Sequence, residues 1–122
     1  MTNYLTLEDL LQLVADLGVG PIRDLGLLDA AAHRPTTSLY GEEAYVGLEA
    51  KAGALLESVV CGHPLVDGNK RLGWLALVVF YGLNDVDLDV PDDEAYDLVV
   101  GVAAGEHDRH GVAQALGPWR TS

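Results

Sequence analysis

An all-α fold, a compact bundle of about six helices, is what this 122-residue sequence predicts. Three observations predict it. The run Leu72–Leu83 is apolar on every face and carries no charge, the composition of a helix buried at the centre of a domain. Apolar residues elsewhere recur at three- and four-residue spacing, most plainly at Tyr45, Leu48, Ala52, Leu55, Leu56 and Val59. Capping residues, Gly and Pro bracket these segments where helices start and stop.

The elements follow in order. Thr6-Leu7-Glu8-Asp9 reads as a capping box, with Thr6 as N-cap and Asp9 in the reciprocal position. Leu10, Leu11, Leu13, Val14 and Leu17 form the stripe of a first helix, which Gly18 and Gly20-Pro21 stop. A second helix runs from Asp24 to about Arg34, because Pro35 disfavours helix in the residue before it. The polar stretch 34–45, RPTTSLYGEEAY, is expected to be a surface loop. A third helix spans Tyr45 to Gly62; Glu49, Lys51 and Glu57 fall largely off its apolar stripe. The fourth, with Leu72–Leu83 as its body, is the central one.

Asp alternates with Val and Leu over 84–93, which suggests a short strand, an edge or an extended acidic connection. A calcium loop would need a glycine after the third ligand and a later Glu, and Pro91 breaks that spacing. The solvated connection is the preferred reading. Pro91 and Asp92 open a fifth helix, faced by Tyr96, Val99, Val100 and Ala103 and ending at Gly105. His107 and His110 lack further ligands nearby and read as a wet turn. Val112–Leu116 is a short closing helix, ended by Gly117-Pro118. No repeat, low-complexity tract or interior linker interrupts the chain, so residues 1–122 are expected to form one domain.

Composition narrows the function classes. Nineteen acidic residues against seven Lys and Arg give a net charge of −12, which argues against general nucleic-acid or anionic-membrane binding. The apolar run is too short to cross a membrane, which takes about 20 residues. No secretory signal is evident, and the single cysteine, Cys61, has no internal partner; both suit a reducing cytoplasm. In its apolar helical context Cys61 is expected to be a buried, inert thiol.

The chemistry concentrates in His63-Pro-Leu-Val-Asp-Gly-Asn-Lys-Arg71, fused to the start of the apolar helix. A helix beginning near Asn69 presents unpartnered N–H groups and a positive dipole end. With Gly68 for the tight turn, and Lys70 and Arg71 beside it, that end makes an anion site. Asp67 can hold Mg2+ against phosphate oxygens. A histidine at position 63 is suited to accept a proton from an attacking hydroxyl. Base, metal carboxylate and phosphate cradle are the parts needed for transfer of a phosphorus-containing group. Taken singly, each residue also fits a bland role as cap, turn or solvated charge. Their spacing and the helix behind them favour the joint reading.

The nine residues 63–71 resemble the Fic/Doc signature, H-x-F-x-[DE]-[GA]-N-[GK]-R, with Leu65 in place of the phenylalanine. Lys70, where a second glycine is usual, is similar to the Doc branch, the toxins of addiction modules. The resemblance extends over most of the chain, including the run Leu98 to Glu106. It implies a compact helical fold and phosphoryl transfer from a nucleoside triphosphate, with ATP expected, to a hydroxyl of a translation component; elongation factor Tu is the family precedent. His63 would be the base and Asp67 the Mg2+ ligand, with Gly68, Asn69, Lys70 and Arg71 around the phosphates. It also implies a cognate, Phd-like antitoxin whose segment folds into a helix on binding, and a flap near 34–45 that aligns the target. Two other readings stay open: Fic-type nucleotidylyl transfer, and an inert family member that only binds a partner. Trp74, where adenylylating members carry a second arginine, argues against the first.

Overall fold

The computed structural model describes residues 1–121. Six helices follow one another: α1 (Leu7–Leu17), α2 (Leu25–His33), α3 (Leu48–Gly62), α4 (Asn69–Leu83), α5 (Asp92–Ala103) and α6 (Arg109–Leu116). Single 3-10 turns occupy Arg34–Thr36 and Gly117–Trp119. A two-stranded antiparallel hairpin pairs β1 (Ser38–Leu39) with β2 (Glu42–Glu43). The protein is an all-α bundle, as its periodicities predict.

Local chemistry sets the helix starts. Thr6 accepts from the Asp9 amide while the Asp9 carboxylate accepts from the Thr6 amide, so the capping box is complete. Asp24 caps α2 through the Leu27 amide, and Asp108 caps α6 through the Gly111 amide. Such caps satisfy amides that have no acceptor within the helix. The Asp108 cap starts α6 three residues before the apolar pair that marks it in sequence. Tyr45 lies outside α3, because Gly47 sits at φ 89° and breaks the helix ahead of Leu48.

The core is one cluster drawing on all six helices. At its centre lies α3, on which α2, α4, α5 and α6 all pack. Gly53 makes one of these contacts possible: a Cβ there would stand 2.6 Å from the Arg109 carbonyl oxygen, so α6 seats directly on the α3 backbone. Burying a leucine such as Leu55 or Leu56 is worth about 2 kcal/mol, and α3 contributes both, along with Val59 and Val60.

Several expectations need correction. α4 is buried along Leu72, Gly73, Ala76, Leu77, Phe80 and Tyr81, but Val78 is 38% exposed and Trp74 and Leu75 are only partly covered. An uncharged run reports the absence of charge, not enclosure on all sides. The 34–45 stretch carries the 3-10 turn and the hairpin in place of a featureless loop. Residues 84–93, by contrast, are the acidic connection preferred for them, with no strand among the described residues and a lone bridge, Leu88 with Arg120, tying it to the chain's end. On α5 the core face is Leu98, Val99 and Val102, whereas Tyr96 is 66% exposed.

Lys51, read from its spacing as a polar-face residue, is 2% exposed. Its ammonium donates to the Tyr45 carbonyl at 2.6 Å and pairs with Glu43 at 3.2 Å, anchoring the hairpin to α3. Cys61 is exposed, not buried. Its thiol lies 3.6 Å from the Val102 carbonyl oxygen, and local desolvation and the Glu57 charge push its pKa up.

Candidate active site

The connection between α3 and α4 is only six residues long, 63–68, and a second segment splints it. The link between α1 and α2 lies alongside, with Ile22 and Leu65 in an antiparallel bridge. Gly20 donates to the Asp67 carbonyl, Val66 to that of Pro21, and Arg23 and Asp24 both to that of Pro64. From the other side, Asn69 exchanges two 2.9 Å hydrogen bonds with the backbone of Leu65. Leu65 itself is buried at 1% exposure, so it keeps the anchoring place that the longer phenylalanine would take. Nothing in the 19–24 sequence beyond its helix-stopping residues signals this bracing role, which works through backbone pairing and the Arg23 side chain.

Gly68 is required twice. It caps α4 at φ 96°, a left-handed conformation that costs a side-chain-bearing residue about 1–2 kcal/mol. A Cβ there would also stand 2.5 Å from the Val19 Cβ.

The turn brings the sequence-predicted residues together. His63, Asp67, Gly68, Asn69, Lys70 and Arg71, with Val60, Val66 and Ala103 beside them, line a cavity of about 270 Å3. His63 is exposed and its backbone is left-handed, at φ 55°, ψ 56°. Asp67, Lys70 and Arg71 are exposed as well. The amides of Asn69, Lys70 and Arg71 have no backbone acceptor, since the first bond of α4 runs from Leu72 to the Gly68 carbonyl. Asn69 adds a structural duty to the turn that it helps to form. Both its amide atoms are engaged with Leu65, so its side chain holds the loop and only its backbone N–H faces the anion site.

The charges here are arranged unlike those elsewhere. Arg34, Lys51 and Arg120 each pair with a glutamate. Arg23 is bonded to the Gly62 and His63 carbonyls, and Arg109 lies 4.9 Å over the Tyr45 ring. Lys70 and Arg71 alone form no ion pair, hydrogen bond or ring contact among the described residues. Acidic partners are abundant in a chain of net charge −12, so the omission is not for want of carboxylates. Cations at a helix N-terminus oppose the macrodipole by about 0.3–1 kcal/mol each, a penalty that a bound anion reverses. An anion placed here would meet two free cations and three open amides.

Asp67 fits the metal such a ligand brings. It is a single exposed carboxylate, with no side-chain hydrogen bond and two unpaired cations in the same cavity wall. Mg2+ is typically held by one or two carboxylates together with waters and substrate phosphates. No cluster of three or more metal-binding side chains exists among the described residues; Asp67 would hold a metal as a lone protein carboxylate.

The sequence does not show what adjoins this cavity. A groove of about 490 Å3 opens between α4 and α5, walled by Trp74, Leu75, Ala95, Tyr96, Val99 and Val100, with Leu17 at its floor and Lys70, Arg71 and Asp92 at its rim. It is the uncovered apolar side of α4.

The sequence profile of the Fic/DOC family matches residues 4–81. The chain belongs to this family. The match takes in α1 to α4 and therefore the whole splinted loop. Over 120 residues the chain is also 45% identical to a protein of Mycolicibacterium smegmatis named Toxin Doc, covering 95% of this chain and 92% of that one. That similarity carries past the family match through α5 and α6, so it includes both walls of the groove. No described helix is long and apolar enough to cross a membrane.

Proposed function

We propose that this Fic/DOC protein is a Doc-type toxin that phosphorylates a hydroxyl of a translation component, elongation factor Tu by family precedent, using ATP in the cytoplasm. One observation carries the reading: Lys70 and Arg71 stand unpaired at the open N-terminus of α4, in the same cavity wall as His63 and Asp67. The toxin name of the 45% identical relative supports the biological setting.

In the proposed reaction His63 takes the proton of the target hydroxyl as its oxygen bonds to the γ-phosphorus. The bond from that phosphorus to the β–γ bridging oxygen breaks, and ADP leaves. Lys70, Arg71 and the free amides of α4 hold the phosphate oxygens. Mg2+ on Asp67 would neutralise charge on the phosphates. The γ-phosphate is favoured over the α-phosphate because Lys70 adds a bulky point charge where a glycine would let the phosphate tail run. Trp74, one turn on, offers no grip on outer phosphates.

The apolar groove beside the site supports the expected antitoxin: an amphipathic helix that folds on binding and lays its apolar face between α4 and α5. Basic residues on that partner would complement the acidic chain, so association should slow as salt rises.

Labelled ATP decides the reaction. Label from the γ-phosphate should reach elongation factor Tu, and label from the α-phosphate should not. The reverse result would establish nucleotidylyl transfer. No transfer of either label, by a chain that still binds its antitoxin, would leave the inert binding module.

A further inference from the structure

We propose that Arg23 is a positioning residue that sets the aim of the His63 imidazole, an inference that rests on the reading of His63 as the base. The backbone of His63 is left-handed, a conformation that a non-glycine residue keeps only where the surroundings impose it. Arg23 supplies the imposition. Its Nε donates to the His63 carbonyl at 2.7 Å and its Nη2 to the Gly62 carbonyl at 3.2 Å. Those carbonyls belong to the peptide planes on either side of the His63 Cα. Holding both planes fixes φ and ψ of His63, and with them the direction in which its side chain leaves the backbone.

The backbone that carries this side chain is itself docked, because the Arg23 amide donates to the Pro64 carbonyl at 2.8 Å. The two carbonyls lie at the negative end of α3, where no helical N–H remains to meet them. Arg23 does not line the phosphate cavity, so its effect on the reaction runs through His63. A lysine cannot replace the fork, since a single ammonium does not reproduce a planar bidentate donor.

The test compares wild type, Arg23→Ala and Arg23→Lys in phosphoryl transfer from MgATP to elongation factor Tu. Alongside it, the ring signal of His63, assigned by its loss in His63→Ala, is followed by 13C–1H NMR. Arg23→Ala is expected to lower kcat about 10- to 100-fold with KM for MgATP changed by less than about twofold, as for a misplaced reacting group. The His63 ring signal should shift or broaden. Arg23→Lys should restore part of kcat, and added guanidinium ion should raise the activity of Arg23→Ala but not of wild type. Unchanged kcat, a KM that rises as far as kcat falls, or an unmoved His63 signal would overturn the proposal. Should Arg23→Ala fail to fold, Arg23→Gln, with one donor left, takes its place. Should wild type transfer no group, the kinase reading fails, while the NMR comparison still decides whether Arg23 sets His63.

Discussion

Two regions of this molecule hold the same kinds of side chain and use them in opposite ways. Along the outer side of α3, charge is consumed internally. Arg34 reaches Glu57, Ser58 and the Tyr45 hydroxyl, Glu49 binds both Arg120 and the Tyr81 hydroxyl, and Lys51 pins the hairpin. At the start of α4, a histidine, a carboxylate and two cations line one cavity and leave one another alone. The first region is a stable structure made of polar groups. The second is held in shape by neighbours, the 19–24 segment and the side chain of Asn69, so that its own charged groups stay available. Whether a charge has a partner, and not merely where it lies, separates support from function here.

The sharpest way to break the contrast is His63→Ala. Transfer should fall about 10²- to 10⁴-fold, the usual contribution of a general base, while the thermal midpoint stays put, as activity assays and melting curves would show. Arg34→Ala should do the reverse. It removes bonds to Glu57, Ser58 and Tyr45 in a half-buried setting, and about 2–3 kcal/mol of stability should go with it, measured by urea unfolding, with kcat of the folded fraction retained. Lys70→Glu is the most discriminating. It should weaken MgATP binding at least about tenfold, yet stabilise the empty protein by about 0.3–1 kcal/mol, because an acid replaces a cation at the positive end of a helix dipole. Calorimetric titration and melting without nucleotide measure the two halves. A drop in both would place Lys70 with the structural charges. The smallest effect concerns Cys61: its raised pKa leaves less thiolate at neutral pH, so alkylation by iodoacetamide should lag behind that of a free thiol despite its exposure, and should speed up as pH rises.

What was legible in the sequence was local. The Thr6–Asp9 box, the Asp24 cap and the turn around Gly68 are each written within a few residues, and the chemistry of 63–71 is contiguous. What escaped depends on distant partners. Lys51 looks solvated until Tyr45 and Glu43 are folded back over it. Arg23 looks like part of a helix break until Gly62 and His63 are brought against it. The uniform apolarity of 72–83 concealed a different matter: α4 needs apolar residues on two sides, one for the core and one for the groove, and a pattern of hydrophobicity does not say which side remains open.

Asn69 carries a consequence for how this site varies in evolution. By donating to and accepting from the backbone of Leu65, its amide imitates a neighbouring strand, and one face of the loop is held by a single side chain at the loop's end. Intervening positions are released from that duty. Val66, at 63% exposure, is held by its backbone alone, so its side chain is open to change without loss of shape. Asn69 has no such latitude. Exchange of its NH2 for oxygen, by mutation to aspartate or by deamidation, keeps the acceptor but sets a carboxylate against the Leu65 carbonyl. A library over 63–71 should therefore tolerate many residues at 66 and reject the nearest isostere at 69.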